Sequence, residues 1–212
     1  QEALREFEII KYRLLPTVNN QANYISLHLC YGRALLCLGR YQKALNEFET
    51  IRNEYIQISN GPAALVQWHC DYGRALLGLG RYQEALNEFE TIRNEHRQTL
   101  SNPIAHAWWH YDYGRVLLGL DRNQDALNAF DAAIANPELP LSCDKLRALL
   151  GLYRVIALCK LGRKNDALQA YDAINFPLHN LANNTELTID LLTKATYMVM
   201  LINNDSETST EN

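Results

Sequence analysis

The chain repeats itself every 41 residues. Residues 31–54 read YGRALLCLGRYQKALNEFETIRNE, and residues 72–95 read YGRALLGLGRYQEALNEFETIRNE. The two differ at two of 24 positions, Cys37/Gly78 and Lys43/Glu84. The frame continues from Tyr113 as YGRVLLGLDRNQDALNAFDAAI and more loosely from Ala157 as ALCKLGRKNDALQAYDAI. A fixed period of this length marks a stack of small units, none of which can bury its apolar face alone. It argues for a recognition scaffold and against an enzyme built around one pocket.

Each unit reads as two helices and a short turn. In the second unit Leu65, Trp68, His69, Tyr72, Leu76 and Leu79 recur at helical spacing and give the first helix an apolar face. Gly80 then suits the left-handed conformation that closes a helix. The second helix carries Ala85, Leu86, Phe89 and Ile92 at three- and four-residue steps. Down the chain the turn column is Gly39, Gly80, Asp121 and Gly162. The close-contact column is Ala44, Ala85, Ala126 and Ala167, and the large apolar column is Phe48, Phe89, Phe130 and Tyr171. Aspartate at 121 tolerates the left-handed region less well than glycine.

Pro62 and Pro103 fit the first turn of a helix behind a small cap. Asn102 is the expected cap of the third unit and Ser142 of the fourth. The pattern predicts helices near 1–14, 21–38, 42–57, 62–79, 83–98, 103–120, 124–136, 143–161, 165–175 and 184–203. The organisation expected is the second helix of an incomplete repeat over 1–20, then repeats over 21–61, 62–102, 103–142 and 143–183. A capping helix over 184–203 and a disordered polar tail over 204–212 complete it. Ala3, Leu4, Phe7 and Ile10 precede Ala44, Leu45, Phe48 and Ile51 by one period, so more repeats or another domain are expected before Gln1. The unmated apolar face of that opening helix favours self-association.

The fold class expected is therefore all-α. Net charge is −4, with Asp205, Glu207 and Glu211 in the tail, so nucleic acid and anionic membrane are not expected partners. The longest apolar run near the end, Tyr197 to Ile202, is too short to cross a bilayer. Five cysteines, Cys30, Cys37, Cys70, Cys143 and Cys159, form no C-x-x-C pair. They read as buried free thiols of a reducing compartment, hence a cytoplasmic location.

These columns resemble the tetratricopeptide repeat family over most of the chain. The signature is a small residue midway along the first helix, a turn glycine, then alanine and an aromatic on the second helix. Here it is Gly32, Gly39, Ala44 and Phe48; Gly73, Gly80, Ala85 and Phe89; and Gly114, Asp121, Ala126 and Phe130. The fourth unit departs at Val155. The longer period resembles the repeats of kinesin light chains and of the sensor segments in large LuxR-type regulators. The resemblance implies a right-handed superhelical solenoid of antiparallel helix pairs, about four repeats with a C-terminal capping helix. First helices would line its concave groove.

On that footing the groove candidates are Ser26, Leu29 and Arg33; Gln67, Cys70 and Arg74; Trp108, Tyr111 and Arg115; and Leu149, Leu152, Ile156 and Lys160. The partner-binding set is Arg33, Gln67, Arg74, Trp108, Tyr111, Arg115 and Lys160. The column Arg33, Arg74, Arg115 suits a protein or peptide ligand carrying carboxylates. Asp71 and Asp112, three residues before Arg74 and Arg115, are placed to neutralise those two. Cys30 takes that place before Arg33, leaving it the arginine expected to be free. Trp108 and Tyr111 would form an exposed pair, while Trp109 and Tyr113 belong to the core. His28, His69 and His110 read as half-buried, hydrogen-bonded histidines. His106 and His110 are four apart, but no third metal ligand accompanies them.

Arg40, Arg81, Arg122 and Arg163 come directly after the turns and read as a solvated rim. Glu47 and Glu49 recur with the repeat and read as surface acids. No nucleophile–base pair, phosphate loop or dinucleotide motif is present, so neither an enzyme nor a cofactor is expected. Two functions fit: a protein-interaction scaffold holding a peptide or helix in its groove, or a regulatory or sensor segment of a larger signalling protein, such as a bacterial transcription regulator or a secreted effector.

Overall fold

The computed structural model describes residues 8–9, 20–58, 61–95, 100, 102–174 and 196. Among these residues the protein is all-helical. The helices are α1 (Gln21–Cys37), α2 (Tyr41–Thr50), α3 (Arg52–Ile58), α4 (Pro62–Gly78), α5 (Tyr82–Glu95), α6 (Pro103–Gly119), α7 (Asn123–Ile134), α8 (Asp144–Lys160) and α9 (Lys164–Asp172). A short 3-10 turn, Leu141–Cys143, precedes α8. The chain divides into two compact units, Gln1–Thr99 and Leu100–Asn212. In the first, α1 packs on α2 and α4 on α5, and α2 also packs on α4. In the second, α6 packs on α7 and α8 on α9, with α8 lying against both α6 and α7.

Four turns between paired helices share one geometry. Gly39, Gly80, Asp121 and Gly162 have φ of 68°, 72°, 56° and 72°. The next amide reaches back across the last turn: Arg40 to Leu35 O at 2.9 Å, Arg81 to Leu76 O at 3.0 Å, Arg122 to Leu117 O at 2.9 Å and Arg163 to Leu158 O at 3.0 Å. These bonds satisfy carbonyls that the helix end would otherwise leave bare, and they reverse the chain for an antiparallel partner. Asp121 is the only non-glycine residue with positive φ among the described residues.

Within a pair, the missing side chain of one residue makes room for a ring. A Cβ added at Gly32 would lie 2.5 Å from the Phe48 ring, one at Gly73 2.9 Å from Phe89, and one at Gly114 2.4 Å from Phe130. All three phenylalanines are fully buried, as are Ala44, Ala85, Ala126 and Ala167 on the second helices. The expected columns thus form the core of the first three pairs; in the fourth, Ala167 is buried but Tyr171 is only half-buried. Between pairs of the first unit, the ring of Tyr41 fills the space left by Gly78, whose Cβ would come within 2.4 Å.

Asn102 caps α6 as expected, accepting from the amides of Ile104 and Ala105 at 2.9 and 3.1 Å. Ser142 does not cap α8: it lies inside the 3-10 turn, and Cys143 takes the cap position without a side-chain bond. The single helix expected over 42–57 is broken at Ile51. The corresponding segment, which differs up to residue 54 only at Lys43/Glu84, runs unbroken through α5. Tyr55 is buried and donates to Ala64 O at 2.9 Å, which draws the chain toward the start of α4. Of the helices expected over 1–14 and 184–203, only Glu8, Ile9 and Thr196 are described, and the tail over 204–212 lies outside the described residues.

Candidate functional site

The centre of the expected binding face in the first unit is a carboxylate, Asp71, only 2% exposed on α4. A buried charge needs partners, and three side chains supply them. Arg33 of α1 donates from Nε to Oδ2 at 2.6 Å. Arg74 donates from Nη1 to Oδ1 at 3.4 Å, and Gln67 from Nε2 to Oδ1 at 3.2 Å. The expectation that Arg33 is the free arginine is therefore wrong. Its own helix offers only Cys30, but the next helix pair supplies Asp71. The Arg33 side chain is still 43% exposed, so it neutralises Asp71 with part of its surface open to solvent.

In the second unit Arg115 pairs with Asp112 at 3.2 Å. The position that reads Asp71 and Asp112 in preceding repeats reads Tyr153 in the fourth. The Arg115 guanidinium lies 5.1 Å from the Tyr111 ring centre and 5.6 Å from that of Tyr153. Tyr111 is buried, not exposed as expected, and burial pushes its phenol pKa up while Arg115 opposes the shift. Trp108 is half-buried and meets Tyr111 edge-on, ring centres 5.4 Å apart. Trp109 and Tyr113 are buried and stacked at 4.7 Å, as a core pair. Lys160 is tied to Asp121 at 2.7 Å.

Several groove candidates are core residues. Leu29, Cys70, Leu149, Leu152 and Ile156 are all buried, whereas Ser26 and Gln67 are exposed. The reason is that a first helix packs against more than its own partner: α1 touches α2, α3 and α4, and α8 touches α6, α7 and α9. Helical periodicity with one partner in mind leaves those faces open; a second neighbour covers them.

The structure also joins residues that show no link in the sequence. His28 Nδ1 lies 2.6 Å from Glu47 Oε2, and His69 Nδ1 lies 2.6 Å from Glu88 Oε2. Tyr31 donates to Glu8 at 2.9 Å and Tyr72 to Glu49 at 3.0 Å. Arg154 replaces tyrosine in that column and donates to Asp131 at 2.6 Å. Glu47 and Glu49 are thus not bare surface acids; each holds a neighbouring helix. The legible signal was a fixed separation of 19 or 23 residues recurring with the period.

His110, third in the histidine column, differs. Its carboxylate position is occupied by Ala129, and its Nδ1 is buried without a hydrogen bond among the described residues. Its ring centre is 4.4 Å from that of His106. Burial first, and His106 second, push its pKa down to about 4.

None of the five cysteines is in a disulfide, and only Cys70 is buried. Cys30 and Cys37 are exposed, contrary to the expectation of buried thiols, because both fall on the outward side of α1. Of the rim arginines, Arg81, Arg122 and Arg163 pair with the acid three residues on, at 2.6, 2.8 and 2.6 Å. Among the described residues no group of three or more His, Cys, Asp or Glu side chains is placed to hold a metal ion, and no helix is long and apolar enough to cross a membrane. No protein-family model matches the chain, and no curated protein matches it.

Proposed function

We propose that the chain is a tetratricopeptide-type scaffold, a right-handed superhelix of stacked helix pairs that binds a peptide or helix of a partner protein along its first helices. Left-handed turns in all four pairs and a phenylalanine seated on a glycine in three of them support the fold. The observation that carries the function is where repetition stops. The turn and second-helix residues of the first two units are almost the same, and they are the ones engaged in stacking. The first halves of the first helices differ. One such column reads Ser26, Gln67, Trp108 and Leu149, and its first two members are exposed. A scaffold that keeps its packing constant and varies exposed first-helix side chains presents a sequence-specific surface. The partly exposed guanidiniums of Arg33 and Arg74 beside Gln67 favour an acidic ligand segment.

Site-specific photo-crosslinking in the native lysate tests this. A crosslinker at Gln67 is expected to capture a distinct protein, and one at the exposed Gln83 on α5 is expected not to. Capture from position 83 alone would move the binding face to the second helices. No adduct from either position would overturn the scaffold reading.

A further inference from the structure

The three histidines of one column sit at equivalent places in three helix pairs, but only two have a carboxylate. We propose that the α6–α7 pair is an acid-sensitive element, in which protonation of His110 opens this pair while the pair α1–α2 stays closed. His28 and His69 each face a glutamate carboxylate at 2.6 Å. The equivalent position beside His110 is Ala129, its Nδ1 is enclosed, and the ring of a second imidazole, His106, lies 4.4 Å away between centres. A proton on His110 therefore arrives as an unpaired charge in an enclosed place.

The charged groups on α6 and on the helices packed against it in this unit have partners of their own or lie exposed. On α6, Asp112 is held by Arg115. On α7, Asp125 pairs with Arg122 and Asp131 with Arg154. On α8, Lys160 pairs with Asp121 and Arg147 donates to Leu139 O, while Asp144 and Lys145 are exposed at its start. Only burial and His106 move the His110 pKa. The open state takes up a proton as pH falls through 6.5, whereas the closed imidazole resists until about 4. Between those values the open state binds more protons, so closure weakens as pH falls.

Hydrogen exchange of the full chain at pH 7.5 and pH 5, corrected for intrinsic rates, reads this directly. Peptides from α6 and α7 are expected to show an opening equilibrium increased roughly 30-fold at pH 5, from the separation of the two pKa values. Peptides from α1 and α2 are expected to change little. His110→Gln should abolish the acid response. Ala129→Glu, which restores the carboxylate of the first two pairs, should abolish or reverse it, and serves alone if the glutamine variant fails to fold. Equal loosening of both pairs, or an acid response that persists in both variants, would overturn the proposal.

Discussion

At the scale of single residues, the opposed effects of glycine can be weighed. Replacing a mid-helix glycine by alanine gains about 1 kcal/mol in helix propensity. At Gly32, Gly73 and Gly114 the added methyl would meet a fully buried phenylalanine ring at 2.5, 2.9 and 2.4 Å. Overpacking of that kind costs about 1–3 kcal/mol, and a ring enclosed on every side has little room to yield. Each alanine variant is therefore expected to be net destabilised in urea unfolding, Gly114→Ala most and Gly73→Ala least. Adding Phe89→Leu to Gly73→Ala should recover part of the loss; no recovery would show that the ring is not the obstacle. Asp121 gives the opposite case. Its φ of 56° costs a side-chain-bearing residue about 1 kcal/mol, and its bond to Lys160 is made by a largely exposed carboxylate worth little. Asp121→Gly should raise stability by about 0.5–1 kcal/mol. A loss would show that the Lys160 contact outweighs the turn.

At the scale of helices, what was legible depended on how many neighbours a residue has. The turn column and the alanine and phenylalanine columns recur with the 41-residue period, which specifies them directly, although Phe130 also stacks on Tyr153 of the next pair. Asp121 could be placed in the left-handed region from its column alone. Tyr111 meets Tyr153 of a second neighbouring helix, and Leu29 and Cys70 are buried on helices that have more than one neighbour, which one helix's periodicity does not reveal, so they read as groove residues. The break at Ile51 was hidden for a related reason: nearly identical sequence, differing only at Lys43/Glu84 up to residue 54, is continuous in α5, and Tyr55 beyond it is the residue tied to the next pair. Arg33 illustrates the cost of looking only three residues back, because its partner lies 38 residues ahead. That contact joins two helix pairs, and its carboxylate end is buried. A double-mutant cycle of Arg33→Gln and Asp71→Asn is expected to give a coupling of about 1–2 kcal/mol, well above that of an exposed surface pair. Coupling near zero would mean that Gln67 and Arg74 satisfy Asp71 unaided.

Across the whole molecule, buried phenols bonded to carboxylates give the protein a predictable alkaline limit. Burial, then the bond to Glu8, pushes the Tyr31 pKa up to about 12; burial, then Glu49, does the same for Tyr72. An unfolded phenol loses its proton near 10. Between about 10 and 12 the folded state holds more protons than the unfolded one, so stability falls as pH rises through that window. The contribution is fully present below pH 10, the reverse of the histidine case, and the two together leave a stability plateau between the imidazole and phenol ranges. Far-UV circular dichroism across an alkaline titration is expected to show helix loss beginning above pH 10. Tyr72→Phe keeps the ring but removes the ionisable group and its bond to Glu49, at a neutral-pH cost of about 1 kcal/mol. The double variant Tyr31→Phe/Tyr72→Phe should therefore melt slightly earlier than wild type at pH 7 and resist alkali better. An unchanged alkaline midpoint in that variant would place the limit on other groups, with Tyr55 and Tyr111, whose phenols burial also pushes up, the next to replace.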